Sequence, residues 1–360
     1  MRIKWVRGNE QISFKRPHVW FALGVRGSGK SSFLEHVAVE YLNRNAVVFD
    51  LFGSRDGEAL AWLRSPYAKD KKILLLKGDN VDVTASVDVK NVEALKLRDI
   101  ENYDVIISSS PLYSSVDQEF YNAAKVTDLL YKRIHWKRIV YLIMREASNF
   151  YYSRLKISEN QVTAKANMVY LIRESRHCGL SLSLDSVRFM GIDIDIRSLT
   201  DYLILKAQGL QGLTRDLKWL YSYVEPHLVR KLKPQHVILL TRQGGIAYGD
   251  FPEVPWHKKE REDILKSVGI KVEYGETLEE PILKGMYKTV GDKEHAKIIM
   301  LYVDEGLSMP AIATKLKRSQ RTPHTHIHAH NQAVARSGFC AACKRTGSSH
   351  YNMVAERRKI

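Results

Sequence analysis

Apolar residues along this chain gather in short unbroken runs, separated by longer segments in which they recur every three or four positions. The run His18-Val-Trp-Phe-Ala-Leu-Gly24 is β-rich, and after a glycine-rich turn the segment Lys30–Leu42 shows helical spacing. Further strands are predicted at Ala46–Asp50, Lys72–Leu76, Asp104–Ser108, Arg138–Met144, Leu180–Leu184 and Tyr202–Leu205. These runs are continuous rather than alternating, as strands covered on both faces require, and helical segments lie between many of them. The pattern predicts an α/β fold with a doubly wound, mostly parallel central sheet. Two last strands, His236–Thr241 and Gly245–Tyr248, are joined by a Gly-Gly turn and read as a hairpin at a sheet edge.

Beyond about Tyr274 the periodicity fades into glycine, proline and mixed charge, and helical spacing resumes over His295–Gly306. The expected organisation is a large domain over 1–275, a linker over 276–292 and a small, mainly helical domain over 293–360. With 360 residues, 44% hydrophobic and 27% charged, and with no 18-residue uncharged apolar run, the chain is neither disordered nor membrane-spanning in composition. Charge interrupts the apolar stretch at Met1–Gly8, so no secretory signal is readable there and a cytoplasmic location without membrane insertion is expected. Three cysteines, Cys178, Cys340 and Cys343, exclude a disulfide framework. The formal charge of +16 favours a polyanionic partner, and the stretch from Met286 onward, with 13 basic against five acidic residues, carries half of it.

The most specific signal is Gly24-Val-Arg-Gly27-Ser28-Gly29-Lys30-Ser31, a complete G-x-x-x-x-G-K-S between a predicted strand and a predicted helix. Backbone N–H groups of Gly24, Gly27, Ser28, Gly29, Lys30, Ser31 and Ser32 are expected to cradle the phosphates of ATP at a helix N-terminus. Lys30 would neutralise the β- and γ-phosphates, and the Ser31 hydroxyl would hold Mg²⁺. Such a site needs an acidic group at the end of a neighbouring strand. In Asp104-Val-Ile-Ile-Ser the acid stands at the wrong end; Arg138–Arg145 delivers Glu146 just past the apolar run, making it the candidate catalytic base.

The segment Tyr-Leu-Ile-Met-Arg-Glu-Ala-Ser-Asn-Phe (141–150) resembles the Walker B segment of HerA/FtsK-superfamily ATPases. Val-Phe-Asp50-Leu-Phe-Gly53, Arg173-Glu-Ser-Arg176-His-Cys-Gly179, Asp185-Ser-Val-Arg188 and Ile192–Arg197 are similar to further motifs of that group, in the same order, over roughly residues 15–250. The resemblance implies a RecA-like P-loop NTPase core working as a homo-oligomeric ring, commonly a hexamer, with an arginine of one subunit reaching the neighbour's γ-phosphate. Arg173 and Arg176 are the candidates. The chain departs from the pattern at Arg145, which replaces the first acid of the Walker B pair, and at the sensor, where Asp185, Ser186 and Val187 are alternative alignments. Metal ordering would then fall to Ser31 with Asp50 or Asp185, or turnover would be slow. Asp193 and Asp195 read as helix-flanking residues and Cys178 as a core residue.

The basic tail places a Ser308-capped short helix, a polar turn and a further helix after the first one, the order of a helix-turn-helix, and it resembles small winged or resolvase-type DNA-binding modules. Lys315, Lys317, Arg318 and Arg321 would meet phosphates of double-stranded DNA, with Thr322, His324, Thr325 and His328 at the start of the recognition helix. The Cys340-Ala-Ala-Cys343 pair suggests a zinc knuckle completed by a nearby imidazole, with His350 the expected ligand. His326, His328 and His330 alternate along a helix and so cannot all face one ion. The expectation is an ATP- and Mg²⁺-dependent motor on double-stranded DNA, serving packaging, transfer, segregation or repair. The alternative is a nucleotide-switched DNA-binding regulator or partition-type adaptor with little turnover.

Overall fold

The computed structural model describes residues 1–52, 57–133, 136–151, 158–259, 262–275, 292–337, 339–340, 343 and 345–346. The chain forms two compact units, Met1–Glu276 and Thr277–Ile360. Most of the expected 276–292 linker lies outside the described residues.

In chain order the larger unit carries β1 (Arg2–Arg7), β2 (Val19–Leu23), α1 (Lys30–Leu42), β3 (Val47–Phe52), β4 (Ile73–Lys77), β5 (Val81–Thr84) and β6 (Asp88–Asn91). There follow α2 (Leu97–Asn102), β7 (Val105–Ser108), α3 (Val116–Tyr131), β8 (Val140–Arg145), α4 (Glu159–Arg173), β9 (Leu180–Ser186), α5 (Ile194–Ser198) and β10 (Tyr202–Leu205). It ends with α6 (Pro226–Arg230), β11 (His236–Thr241), β12 (Ile246–Asp250), α7 (Ile264–Ser267) and β13 (Lys271–Tyr274).

Eleven of these strands form one sheet in the order β1-β12-β11-β10-β2-β9-β8-β3-β7-β4-β6. From β10 to β6 every pairing is parallel, while β10-β11, β11-β12 and β12-β1 are antiparallel. The parallel strands are those whose apolar runs are unbroken: all five residues of β2, all six of β8 and all seven of β9 are buried. Trp20 of β2 is fully buried, stacked on Tyr202 at 4.4 Å between ring centroids and set against Phe33 of α1. The hairpin expected at the sheet edge is β11-β12, and β1 adds one more strand outside it. The sequence reading passed over β1 because its burial alternates, leaving charged residues on one face.

Three helices of the larger unit start at polar caps. Ser115 accepts a hydrogen bond from the Gln118 backbone N–H at the start of α3, Ser158 from Gln161 at α4, and Asp193 from Asp195 at α5. Cys178 is a buried thiol, and burial raises its pKa, as a core residue's should be. No described helix is long and apolar enough to cross a membrane.

The smaller unit holds α8 (Asp292–Val303), α9 (Met309–Lys315), α10 (Arg321–Ser337) and a two-stranded hairpin, β14 (Phe339–Cys340) with β15 (Arg345–Thr346). Ser308 caps α9, and Lys317 adopts a left-handed conformation, φ +52°, in the turn before α10. Among its described residues, Ile298, Ile299, Leu301, Val303, Ile312 and Ile327 form a buried apolar cluster.

Candidate functional site

The glycine-rich loop joins β2 to α1 at the C-terminal edge of the parallel sheet. Gly29, the residue before α1, has φ +82°, and a Cβ there would come within 2.6 Å of the Pro234 carbonyl oxygen. A Cβ on Gly24 would meet Lys206 Cβ at 2.6 Å and Ser28 Oγ at 2.7 Å, so neither position accepts a side chain without displacing its neighbours. The Val25 N–H donates to the Ala207 carbonyl and the Gly24 N–H to that of Ser186, anchoring the loop to the ends of two adjoining strands. Lys30, Ser31 and Ser32 form the first turn of α1, and Lys30 Nζ lies over the loop, 3.4 Å from the Val25 carbonyl. The buried Ser28 hydroxyl has no hydrogen-bond partner, and nothing lies within 4 Å of a Cβ built on Gly27. An orphaned donor beside open space, at a helix N-terminus with a lysine over it, fits a bound phosphate chain.

Glu146 follows β8 directly. Strand register puts Leu23 of β2 opposite Ser186 of β9, and Met144 of β8 opposite Leu184, so Glu146 stands level with the start of the loop. With β9 between them, the two strand ends are about 10 Å apart, room for a γ-phosphate and a water. The backbone of Glu146 is left-handed, φ +46° and ψ +46°, a conformation a non-glycine residue adopts at a cost. Two contacts hold it: its N–H donates to Asp185 Oδ1, and its exposed carboxylate accepts from Asn149 Nδ2 at 3.1 Å. Burial raises Asp185 to about 6 despite the opposing charge of Lys30. Of the three alternatives at the sensor position, Asp185 is the one that touches the candidate base.

Arg145 is fully buried at the end of β8. Its Nε donates to Asp50 Oδ1 at 2.8 Å and its Nη2 to Asp50 Oδ2 and Glu35 Oε1, each at 2.7 Å; Nη1 faces Glu58 at 3.4 Å. His257 joins the cluster through Glu35, 3.0 Å from Nδ1, and Glu58, 3.2 Å from Nε2. Burial works against the charge on both bases, yet the carboxylates outweigh it: Arg145 stays charged and His257 is raised to about 10. Asp50, expected to help order Mg²⁺, does not fit that role. Its carboxylate is fully buried, with one oxygen on Arg145 Nε and the other shared between Arg145 Nη2 and Trp62 Nε1, the latter at 2.8 Å.

The acid that does stand beside the loop is Glu58, which the sequence reading missed. It is the first residue of the short 3₁₀ helix Glu58–Arg64, and its carboxylate is close enough to the Ser31 hydroxyl for that group to help lower its pKa. Although burial favours its neutral form, Arg145, His257 and Ser31 together hold its pKa well below the ordinary carboxylate range. An ionised carboxylate on the P-loop serine is a donor set suited to Mg²⁺. No local motif marks Glu58; only the Gly57 before it, φ +80°, hints at a helix start.

Arg173 ends α4 and Arg176 lies between it and the start of β9, whereas the loop lies at the end of β9, about 20 Å away at strand rise. Both are exposed, and Arg176 pairs loosely with Asp201 at 3.5 Å. Neither belongs to the nucleotide pocket of its own chain.

In the smaller unit, α10 sorts its polar residues by face. Arg321, His324, Thr325 and His328 are exposed at helical spacing, Thr322 is half-buried, and His326 and His330 are buried on the opposite side. Lys315 is bound to Glu305 and Arg318 to Glu294, both pairs exposed, while Lys317 is exposed. His350, the expected third zinc ligand, lies outside the described residues. Among the described residues, Cys340 and Cys343 stand close to His295 and His330.

No protein-family model and no curated protein sequence matches the chain. Among solved structures it is similar to the genome-packaging NTPase B204 of Sulfolobus turreted icosahedral virus 2, at 18% identity over 66% of this chain and 98% of that one, TM-score 0.41. It is also similar to the pCW3 conjugation coupling protein TcpA, at 14% identity over 69% of this chain and 65% of that one, TM-score 0.41. A third is Thermomonospora curvata EccC, at 14% identity over 70% of this chain and 40% of that one, TM-score 0.41. At such values the chain's own geometry decides the matter: a phosphate-cradling loop after β2, one strand removed from the acid after β8, is the arrangement of the P-loop NTPase fold.

Proposed function

We propose that the larger unit hydrolyses ATP and that the protein uses the energy to move double-stranded DNA. The observation that carries the reading is Glu146, held in a left-handed conformation at the level of the P-loop with its carboxylate exposed. The P-loop N–H groups and Lys30 bind and orient the phosphates, Ser31 with Glu58 would hold Mg²⁺, and Glu146 takes a proton from the attacking water. Magnesium would supply charge neutralisation on the β- and γ-oxygens. Asp185, ionising near pH 6, fixes the backbone of the base. The exposed face of α10, with Lys315, Lys317 and Arg318 beside it, supports a helix-turn-helix contact with DNA phosphates and base edges. The apolar side chains of Val187, Met190, Ile194 and Leu210, 42–100% exposed on segments just after β9 and β10, support assembly into a ring at the nucleotide edge. A finger from Arg173 or Arg176 would then have to come from a neighbouring subunit.

The test is steady-state ATPase activity with and without duplex DNA, for the native chain and for Glu146→Gln. Stimulation by DNA and a loss of about 10²-fold or more in turnover with nucleotide binding kept is the expected result. ATP binding without DNA-stimulated turnover favours a nucleotide-switched DNA-binding regulator, a reading that the burial of Arg145 among three carboxylates supports.

A further inference from the structure

The smaller unit brings four soft donors together from three elements: His295 of α8, His330 of α10, and Cys340 and Cys343 of the terminal hairpin. One ligand atom of each lies within 4.8 Å of all the others, and His295, His330 and Cys340 are buried. We propose that these four residues hold a structural Zn²⁺ ion.

Zinc at about 2.3 Å from sulfur and about 2.0–2.1 Å from nitrogen sets tetrahedral edges of about 3.6 Å between a sulfur and a nitrogen ligand. Cys340 Sγ stands 3.5 Å from His295 Nε2, and Cys343 Sγ 3.3 Å from His330 Nδ1. The donors are therefore spaced as ligands of one small ion. Two thiolates and two imidazoles select zinc over magnesium or calcium, which take oxygen. Four protein ligands leave no open position, which makes the site structural rather than catalytic. Binding releases the two thiol protons to solvent.

An outer partner is in place as well. With Nε2 of His295 turned to the sulfurs, its Nδ1 lies 3.0 Å from Nδ1 of His326, which fixes the ring and its tautomer. This explains the alternating histidines of α10: His330 ligates, His326 orients a ligand, and His328 faces out. The apolar core among the described residues of the unit is small, six buried side chains, so a bound ion would add to its stability. The ion would tie the first helix to the third and both to the hairpin.

The experiment is elemental analysis of the full-length chain, purified without chelator and desalted. One zinc per chain is expected, falling to background in Cys343→Ser and in His330→Ala and unchanged in His350→Ala. Reconstitution of the chelated native chain with Co²⁺ alone should give the visible bands of a tetrahedral site together with thiolate-to-cobalt charge transfer, a readout that needs no variant. ATP binding by the larger unit shows that this unit stays folded in each variant, and the cobalt spectrum of the native chain does not depend on how a variant folds. Sub-stoichiometric zinc in the native chain, zinc retained by both ligand variants, zinc lost in His350→Ala, or a cobalt spectrum without thiolate bands overturns the assignment.

Discussion

Arg145 shows what a single residue does to the site around it. A guanidinium at the end of a central strand needs buried carboxylates, and Asp50, Glu35 and Glu58 provide them from three other elements. Asp50 as a strand-end acid was readable in the sequence, but its engagement by Arg145 was not, because the two residues are 95 positions apart. His257 gives this cluster a measurable signature. Its pKa is raised from 6.5 to about 10, so the folded chain keeps a proton that the unfolded chain loses. The stabilisation is complete below about pH 6.5 and falls away as the pH rises through 10. Lys206, lowered by burial to about 7, adds a slope of opposite sign between 7 and 10.5, so the native chain must be compared with a variant. Denaturant unfolding from pH 6 to 10 should show the stability of His257→Gln rising with pH relative to that of the native chain; parallel curves for the two proteins would remove His257 from the cluster.

At the scale of elements, hydrophobic pattern was a sound guide where an element is buried on both sides and a poor one at the edges. The strand runs at 18–24, 138–144 and 180–184 reappear within a residue or two as β2, β8 and β9, and α1 spans the expected Lys30–Leu42. By contrast β1, β5, β6 and β13 lie at sheet edges or in a separate two-stranded sheet, where alternating or polar residues mask the strand signal. The same logic divides α10 into a buried and an exposed face. If the exposed face meets DNA, Arg321→Ala should weaken binding across all sequences and lower the salt slope of log Kd by about one. A fluorescence-anisotropy titration over a range of salt measures both quantities, and an unchanged slope would take Arg321 off the phosphates.

For the whole molecule, the division into Met1–Glu276 and Thr277–Ile360 separates a nucleotide unit from a small basic one. Truncation after Gly285 should leave ATP binding intact and reduce duplex affinity, since half of the net charge of +16 lies from Met286 onward. Calorimetry with an ATP analogue and binding to duplex DNA at fixed salt test the two halves of that statement; equal DNA affinity for both chains would assign the contact to the larger unit. The sequence by itself determined the parallel sheet, the P-loop and its helix, Glu146 after its strand and the helical order of the basic tail. Each of these is written in residues adjacent in the chain, as periodicity, glycine spacing or a strand-end acid. Only the tertiary structure decided that Asp50 pairs with Arg145, that Glu58 joins the same cluster, that Asp185 holds the backbone of Glu146, and that His295 meets a cysteine 45 residues away. Those are encounters between side chains distant in sequence, and the sheet order and helix packing that bring them together are properties of the folded chain, with no local pattern to announce them.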